Sequence, residues 1–422
     1  MDFLTPVFAK VFSIFMSLLV LLGIKLPGNR QNVSNDHSKD KTNYTYVYLH
    51  GFWGWGEYDE ATENLPYWGF FTGDSLKKLE ENGFKVVAPS VDPVGSAWDR
   101  ACEMYAQLTG TRVDYGKAHS EKYAHERYGE DYTGRGLLEK WDSTDKINIV
   151  AHSFGGPTSY LFASVMEYGS AEEKEATTDG TLSPFFEGGK GDYIYSITGL
   201  AGTYRGTSLV LNSQALEVCA NDLNLDVRKL VPSAGEEVLS VSDAVINGLF
   251  GLMQKVASGD VAAVDTALYD MHPDNAAKLN LELKPVDGIY YFSVPHCTTE
   301  ESEDGTHQNP RKDVTDFMYF PTSCVIGRTN DVTPGGIVMD KSWQPNDGMV
   351  NTISERAPVG VKVTDISAVP GVELAAKGFQ KGIFNVFPTY EGAHMSLMGN
   401  PSRPDGKCVL YLADLMYMIN AL

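Results

Sequence analysis

The fold is decided by residues 147–169, INIVAHSFGGPTSYLFASVMEYG. The segment begins with a short apolar run from Ile147 to Val150, rich in β-branched side chains, which predicts a buried strand. From Pro157 onward the apolar residues recur at helical spacing, and proline is well tolerated in a first helical turn. Ser153 lies at the joint with a small residue two positions to either side. This spacing is typical of a nucleophile elbow, although a simple packing turn has the same pattern.

Strand and helix signals alternate along most of the chain. The predicted strands are Tyr44–Leu49, Phe84–Pro89, Ile147–Val150, Tyr193–Leu200, Ile289–Val294 and Phe384–Tyr390. Helical patterns cover residues 73–82 and the C-terminal segment CVLYLADLMYMINAL. Alternation of this kind predicts βαβ units around a mostly parallel central sheet with flanking helices, an α/β fold.

Composition favours one large globular domain. The chain has 422 residues, of which 43% are hydrophobic, and no long linker or internal repeat follows residue 45. A formal net charge of −21 argues against nucleic acid as a partner and against binding to anionic membranes by charge alone. The five cysteines are scattered and odd in number, so no disulfide framework is predicted, although a single disulfide stays open.

The N-terminal segment predicts export. Residues 11–23, VFSIFMSLLVLLG, are too short for a comfortable membrane span but suit the core of a signal peptide. Few charges precede this run and no A-x-A cleavage site follows it, so a cleaved signal and an uncleaved anchor both remain open. The polar residues 28–42 predict a flexible tether, which places residues 1–44 outside the fold. We expect a protein that is secreted or tethered to the outside of the membrane.

A nucleophilic serine needs a general base and an acid that orients the base. In α/β-hydrolases these follow in the order Ser, Asp or Glu, then His. His394 follows a predicted strand near the C-terminus, where that base belongs. Asp347 lies before it in an Asn-Asp-Gly sequence, which is also a good turn. The order predicts an α/β-hydrolase over residues 45–422 with the catalytic residues Ser153, Asp347 and His394. Three other late histidines, at positions 272, 296 and 307, fit the base less well.

An oxyanion hole requires two backbone donors near the serine. The Phe154 amide follows the nucleophile directly, and the Phe52 amide lies in the loop after the first predicted strand. Each donor would contribute about 3 kcal/mol to stabilising a tetrahedral oxyanion. These features together predict acyl transfer from an ester to water.

A metal site is predicted between the second and third strands. Asp99, His119 and His125 combine carboxylate and imidazole groups, which suit tetrahedral zinc. The two histidines are six residues apart and would converge only through a bend. Isolated surface aspartates and histidines are common, so the spacing alone leaves both interpretations open.

Several segments resemble one known family. They are WDRACEMYAQLTGTRVDYGKAH, HGFWGWG, AHSFGG, TLSPFFEGG, DTALYDM, AAKLN and NDGMVNT. Together they make the chain, from about residue 45 to its end, similar to the zinc-containing thermoalkalophilic bacterial lipases, relatives of the staphylococcal lipases. Ala151, two positions before the elbow serine, is the residue usual in that family.

The resemblance implies residue roles. It assigns the triad to Ser153, Asp347 and His394, the oxyanion amides to Phe52 and Phe154, and the zinc ligands to Asp99, His119, His125 and Asp265. It also implies a structural zinc in an insertion over about 92–135. The family's calcium site is altered, because Ser396 and Asn400 replace two acidic ligands. Calcium prefers anionic oxygens, so we expect no tight calcium there.

The resemblance also implies a substrate class. We expect a triacylglycerol lipase or carboxylesterase acting on acylglycerols at a lipid–water interface. A phospholipase or a short-chain esterase is the alternative, and a non-catalytic lipid-binding protein is less favoured because the triad residue types are intact. The amphipathic helical segments within 204–260 are either structural packing or, as the resemblance implies, a lid.

Overall fold

The computed structural model describes residues 29–59, 66–69, 71–211, 264–316, 319–399 and 405–422. The apolar run at 11–23 and most of the predicted lid lie outside these residues. In the part of the chain that is described, none of the helices has the length and apolar character needed to cross a membrane.

The strands and helices follow the predicted alternation. The strands of the described residues are β1 Thr45–Leu49, β2 Val86–Val87, β3 Arg112–Asp114, β4 Tyr128–Asp131, β5 Ile147–His152, β6 Ile194–Leu200, β7 Tyr290–Val294, β8 His296–Cys297, β9 Thr299–Glu301, β10 Gln308–Pro310, β11 Asp331–Val332, β12 Val338–Met339, β13 Val363–Asp365, β14 Phe384–Val386 and β15 Tyr390–Glu391. The α-helices are α1 Ser75–Glu80, α2 Ala97–Thr109, α3 Lys117–Tyr123, α4 Gly155–Tyr168, α5 Ala171–Ala176, α6 Ala267–Asp270, α7 Pro273–Glu282, α8 Phe320–Ile326 and α9 Cys408–Asn420.

The central sheet has seven strands in the order β13-β14-β7-β6-β5-β1-β2. All of its pairings are parallel. The remaining strands form four separate two-stranded pairs, among them the antiparallel β3–β4 pair within the predicted metal-bearing insertion. Strands β7, β6 and β5 therefore lie in the middle of the sheet with β1 beside β5, and the carboxyl ends of these parallel strands meet at one edge.

Helices cover both faces of the sheet. Side chains alternate along a strand, so Val47 and Leu49 of β1 pack in one core cluster with α2 and α4. Tyr46 and Tyr48 of the same strand pack in the other cluster, with α9. The Tyr46 hydroxyl donates to the Met416 carbonyl at 3.0 Å, which satisfies a fully buried polar group. The sheet is thus buried on both sides, as parallel sheets generally are.

The N-terminal tether prediction is corrected by the structure. Residues 29–42 lie against the domain, with Val33 only 4% exposed and the His37 ring packed near Phe84. The Lys41 and Thr42 amides both donate to the Asn420 carbonyl at the end of α9. Hydrogen bonds of its polar groups to the C-terminal helix and to neighbouring loops hold this segment against the domain. Residues 29–44 therefore belong to the folded domain.

The cysteines of the described residues are free. Cys102, Cys297, Cys324 and Cys408 form no disulfide, and Cys219 lies outside the described residues.

Candidate active site and metal centre

The joint between β5 and α4 places Ser153 in a strained backbone conformation. Ser153 has a φ of 55°, a left-handed value that residues with side chains rarely adopt. Three backbone hydrogen bonds fix it: the Ser153 amide donates to the Leu200 carbonyl at 3.0 Å, and the Ser153 carbonyl accepts from the Gly156 and Thr203 amides at 2.9 and 3.1 Å. The chain reverses sharply here, and the serine side chain stands at the carboxyl edge of the sheet.

Two glycines let other backbone segments approach this joint. A Cβ atom on Gly155 would lie 2.8 Å from the Leu49 carbonyl oxygen. A Cβ atom on Gly51 would lie 2.6 Å from the Ser153 Cβ and 3.2 Å from its Oγ. Such distances leave no room for a side chain, so the glycines are required by close backbone approach. They bring the loop after β1 directly against the serine.

A chain of hydrogen bonds joins Ser153, His394 and Asp347. The His394 Nε2 lies 2.9 Å from the Ser153 Oγ, and the His394 Nδ1 lies 2.5 Å from the Asp347 Oδ2. The His394 amide also donates to the Asp347 carbonyl at 2.9 Å, which fixes the two loops relative to each other. The structure thus brings together the three side chains that the sequence placed far apart.

The environment of Asp347 keeps it ionised. Burial alone would raise the pKa of this fully buried carboxyl, but His394 and the amides of Met349 and Val350 lower it below its ordinary value. The two amides donate to Oδ1 at 2.9 and 2.8 Å, while Oδ2 faces His394. A carboxylate held this way orients the imidazole with its Nε2 toward Ser153.

The two amides predicted as oxyanion donors lie in the loop after β1 and at the start of α4. Within the described residues, neither the Phe52 nor the Phe154 backbone N–H donates to another protein group. Both amides therefore remain available to an incoming acceptor. The contact of Gly51 with Ser153 places the Phe52 amide one residue from the serine.

Arg100 was not predicted as a site residue, yet it contacts both the loop after β1 and the Phe154 side chain. Its guanidinium donates to the His50 carbonyl at 2.6 Å and to the Asp92 carbonyl at 2.7 Å. It also lies 5.4 Å from the centre of the Phe154 ring. Burial lowers the pKa of Arg100 to about 10, and the group still stays charged at neutral pH. Arg100 thus holds in place the loop after β1, which begins at His50 and carries the Phe52 amide. We call this segment the oxyanion loop.

Tyr67 and His152 form a chain of hydrogen bonds that the sequence did not predict. The Tyr67 hydroxyl accepts from the Gly51 amide at 3.2 Å and donates to the His152 Nδ1 at 2.5 Å. The His152 Nε2 donates to the His394 carbonyl at 3.0 Å. Burial lowers the pKa of His152 well below its ordinary value, so the ring stays neutral and uses one nitrogen as acceptor and one as donor. The chain ties the oxyanion loop to the backbone of His394.

A separate group of side chains converges on the other side of α2. One ligand atom from each residue lies within 4.8 Å of the others in the set Asp99, His119, His125 and Asp265. The His119 Nε2 lies 3.1 Å from the Asp99 Oδ1 and 3.2 Å from the Asp265 Oδ2, and the His125 Nε2 lies 3.2 Å from the same Asp265 oxygen. The geometry brings all four predicted metal ligands into one cluster.

The donor set fits a tetrahedral metal ion. Ligands at zinc distances in a tetrahedron lie about 3.4 Å apart, close to the separations observed here. The buried Asp99 Oδ1 and His125 Nε2 lack a hydrogen bond of acceptable geometry within the described residues. The His125 Nδ1 donates to the Glu126 carbonyl at 2.9 Å, which leaves its Nε2 lone pair directed at the cluster. Two carboxylates and two imidazoles that converge in this way could hold a divalent metal ion.

The other histidines lie outside both clusters. His272 accepts from the Asp274 amide at the start of α7, and His307 lies in the exposed β9–β10 turn. His296 is fully buried beside β7. Ser396 lies in a 3-10 turn after His394, whereas Asn400 lies outside the described residues, so the prediction about calcium stays a prediction.

The fold and the site define the α/β-hydrolase class of proteins with a serine elbow. A family model described as "Lipase-like, C-terminal domain" matches residues 42–416. The chain belongs to this family, which confirms its resemblance to the staphylococcal type of lipase.

Similar proteins agree with this assignment. The chain is 30% identical to a protein named Lipase from Staphylococcus epidermidis, over 89% of this chain and 52% of that one. It therefore spans about half the length of the curated relatives it matches. EstA from Clostridium botulinum is 28% identical with a TM-score of 0.70, covering 93% of each chain. Lipase 1 from Pelosinus fermentans is 30% identical with a TM-score of 0.68, covering 89% of this chain and 98% of that one. These structures confirm the α/β-hydrolase fold.

Proposed function

We propose that this chain is a serine carboxylic-ester hydrolase of the triacylglycerol lipase type. One observation carries the proposal: the Ser153 Oγ lies 2.9 Å from the His394 Nε2, whose ring is held by the buried Asp347. A hydroxyl, a base and an orienting carboxylate in this order are the arrangement of nucleophilic acyl transfer.

The reaction would proceed in two halves. His394 takes the proton of Ser153 as its Oγ attacks the ester carbonyl, and Asp347 stabilises the imidazolium that forms. The Phe52 and Phe154 amides donate to the oxyanion of the tetrahedral intermediate. His394 then gives its proton to the leaving alcohol, which departs and leaves an acyl group on Ser153. In the second half His394 activates water, which releases the fatty acid and restores the serine.

The proposal assigns zinc to the Asp99, His119, His125 and Asp265 cluster. A bound zinc would supply a cross-link between α2, the helix α3 with the residues just after it, and the segment before α6. Asp99 is the residue before Arg100, so the cross-link would fix the helix that clamps the oxyanion loop. The role is structural, because the four protein ligands complete a tetrahedron and leave no open position.

The proposed substrates are acylglycerols and other lipid esters. The names of similar proteins support this class, since two of them are called lipase. The apolar run at residues 11–23 supports export as part of the same proposal.

The test is a chain-length series of p-nitrophenyl esters from acetate to palmitate, together with a triglyceride emulsion. The full chain is compared with Ser153→Ala and with Ser38→Ala, which alters an exposed serine far from the site along the chain. We expect activity on the longer esters and on the emulsion, lost only in Ser153→Ala. Activity limited to acetate and butyrate would replace the lipase by a short-chain esterase.

A serine-directed phosphonate separates an enzyme from a lipid-binding protein. Only a serine activated by a neighbouring base reacts with such a probe. We expect one equivalent bound to the full chain and none to Ser153→Ala. An unlabelled but folded protein would contradict the proposed mechanism.

A further inference from the structure

We infer that Glu355 is a positioning residue of the triad, a protonated carboxylic acid that donates a hydrogen bond to the Asp347 carboxylate. The inference rests on the proposed function, because it adds a fourth member to the Ser153–His394–Asp347 chain. Glu355 is a buried acid with no role in the reaction steps proposed above.

Glu355 lies directly behind the triad. Its side chain is fully buried and lies within hydrogen-bonding reach of the side chain of Asp347, which is equally buried. Its Oε2 accepts the amide of His296 at 2.5 Å. Its Oε1 has no donor among the described residues. One glutamate oxygen is thus satisfied as an acceptor, and the other has a hydrogen-bond requirement that a proton would meet.

Two carboxylates in contact cannot both be ionised in a buried site, so they share one proton. The donors around each group decide where that proton resides. Asp347 accepts three hydrogen bonds, from His394 and from the amides of Met349 and Val350. Glu355 accepts only the amide of His296. Asp347 is therefore the better stabilised anion, and the proton stays on Glu355.

The neighbouring groups do not offer Glu355 a cation. The titratable side chains around it are Asp347, His296 and Cys297. The His296 Nδ1 lies 3.9 Å from the Glu355 Oε2 and donates instead to the Val294 carbonyl at 3.0 Å. Burial lowers the pKa of His296 to about 4, and burial with the charge of Asp347 raises the pKa of Glu355 well above its ordinary value. His296 is therefore neutral at pH 7, and the surroundings of Glu355 favour its neutral form.

A protonated Glu355 would complete the shell of donors around Asp347. His394 and the amides of Met349 and Val350 already donate to the carboxylate, and the glutamate hydroxyl would be a fourth donor. The Asp347 carboxylate plane is then fixed, and with it the orientation of the His394 ring toward Ser153. Because Glu355 is neutral, it does not compete with Asp347 for the imidazolium that forms during the reaction.

The test uses two substitutions that separate a hydrogen-bond donor from a charge. Glu355→Gln keeps the size, the acceptor for the His296 amide and a donor toward Asp347, but it cannot ionise. Glu355→Met has a similar size and no donor. Glu300→Gln on the exposed strand β9 is the matched control for loss of a carboxyl group.

Kinetics on a soluble short-chain p-nitrophenyl ester give the first readout. We expect Glu355→Gln to keep kcat within about twofold and Glu355→Met to lose about tenfold in kcat with KM unchanged, the effect of one hydrogen bond to a charged group. Equal losses in both variants would show that an ionised glutamate is needed. An undiminished kcat in Glu355→Met would show that Glu355 positions nothing.

The second readout does not depend on activity or on the folding of Glu355→Met. Carbon-13 NMR of the full chain labelled at the glutamate carboxyl carbon identifies Glu355 as the signal that disappears in Glu355→Gln. We expect this signal at the position of a protonated acid at pH 7, whereas the Glu300 signal lies at the ionised position. An ionised Glu355 signal would overturn the inference even if the ester assays succeed. A protein that hydrolyses no ester but shows a protonated Glu355 would overturn the proposed function and leave this pairing intact.

Discussion

Two buried clusters in this chain are built from the same residue types and have opposite chemistry. At the triad, each nitrogen of His394 has a protein partner, Ser153 on one side and Asp347 on the other. At the predicted metal centre, the His125 Nε2 and the Asp99 Oδ1 are left without good hydrogen bonds and belong to the same cluster of ligand atoms. Aspartate and histidine move protons where partners complete their hydrogen bonds, and they bind cations where lone pairs converge unsatisfied.

The sharpest way to test this comparison is to make the same substitution in both clusters. Asp347→Asn keeps the shape of the side chain but turns an amide N–H toward His394, which favours the wrong imidazole tautomer. We expect kcat to fall about 10⁴-fold with little change in thermal unfolding. The measurement is kcat on p-nitrophenyl butyrate alongside a calorimetric melting curve. A loss of less than tenfold would mean that Asp347 does not orient the base.

Arg100 connects the two clusters, and its substitution should have the next largest effect. A lysine at this position keeps the charge but replaces a planar fork by one ammonium group, so it cannot hold the His50 and Asp92 carbonyls together. We expect Arg100→Lys to lower kcat about 10–100-fold, because the Phe52 amide loses its fixed position. The exposed Arg328→Lys serves as the control. An unchanged kcat would show that the oxyanion loop holds its position without the clamp.

The partner substitution in the metal cluster should leave the chemistry intact. In Asp265→Asn the oxygen that approaches both histidines loses its charge. We expect zinc content, measured by mass spectrometry after dialysis, to fall from about one equivalent per chain to nearly none. At 25 °C, kcat should stay within about threefold of the parent value, since the triad donors are untouched. A loss of kcat as large as that of Asp347→Asn would contradict a purely structural metal.

The smallest expected effect is on melting temperature. Zinc that binds only the folded chain, at a free concentration 100-fold above its Kd, stabilises the fold by about 2.7 kcal/mol. For a chain of this size that amounts to a rise in Tm of about 3 °C. Scanning calorimetry with and without a chelator measures it, and Asp265→Asn should show no difference between the two conditions. A chelator effect that persists in Asp265→Asn would place the metal elsewhere.

The parts of the site with a local sequence pattern were predictable. The elbow around Ser153 is a strand, small residues and a helix in one continuous segment, so its geometry follows from local preferences. Asp347 and His394 were found because the order of triad residues follows the order of strands in this fold. The metal ligands Asp99, His119 and His125 were recognisable by residue type, whereas Asp265 came only from family resemblance.

The parts that depend on long-range packing were not predictable. Tyr67 meets His152 from 85 positions away, and Glu355 meets the His296 amide from 59 positions away, with no motif at either end. Their roles come from burial and from which hydrogen bonds remain unmade, and one sequence does not show either. The role of Arg100 was only weakly indicated in the sequence, namely by a charged residue next to the predicted ligand Asp99.

Two differences in secondary structure have simple physical causes. The strand predicted over Phe384–Tyr390 ends at Val386 and resumes as β15, because Pro388 between them has no amide for the sheet. The polar segment 29–42 was expected in solvent because hydrophobicity alone does not record hydrogen bonds to a distant helix. The first difference has a local cause, whereas the second depends on a partner far along the chain.

The adjacency of Asp99 and Arg100 on α2 bears on which genetic changes the family can accept. Consecutive helical residues point about 100° apart around the axis, so one position faces the metal ligands and the next faces the loop over the serine. Substitutions elsewhere on α2 change one contact at a time. Deletion of a single codon between those for Ser96 and Asp99 would rotate both positions together and misalign two sites at once. Homologues should therefore vary in length at the surface loops and conserve the number of codons from the start of this helix to Arg100.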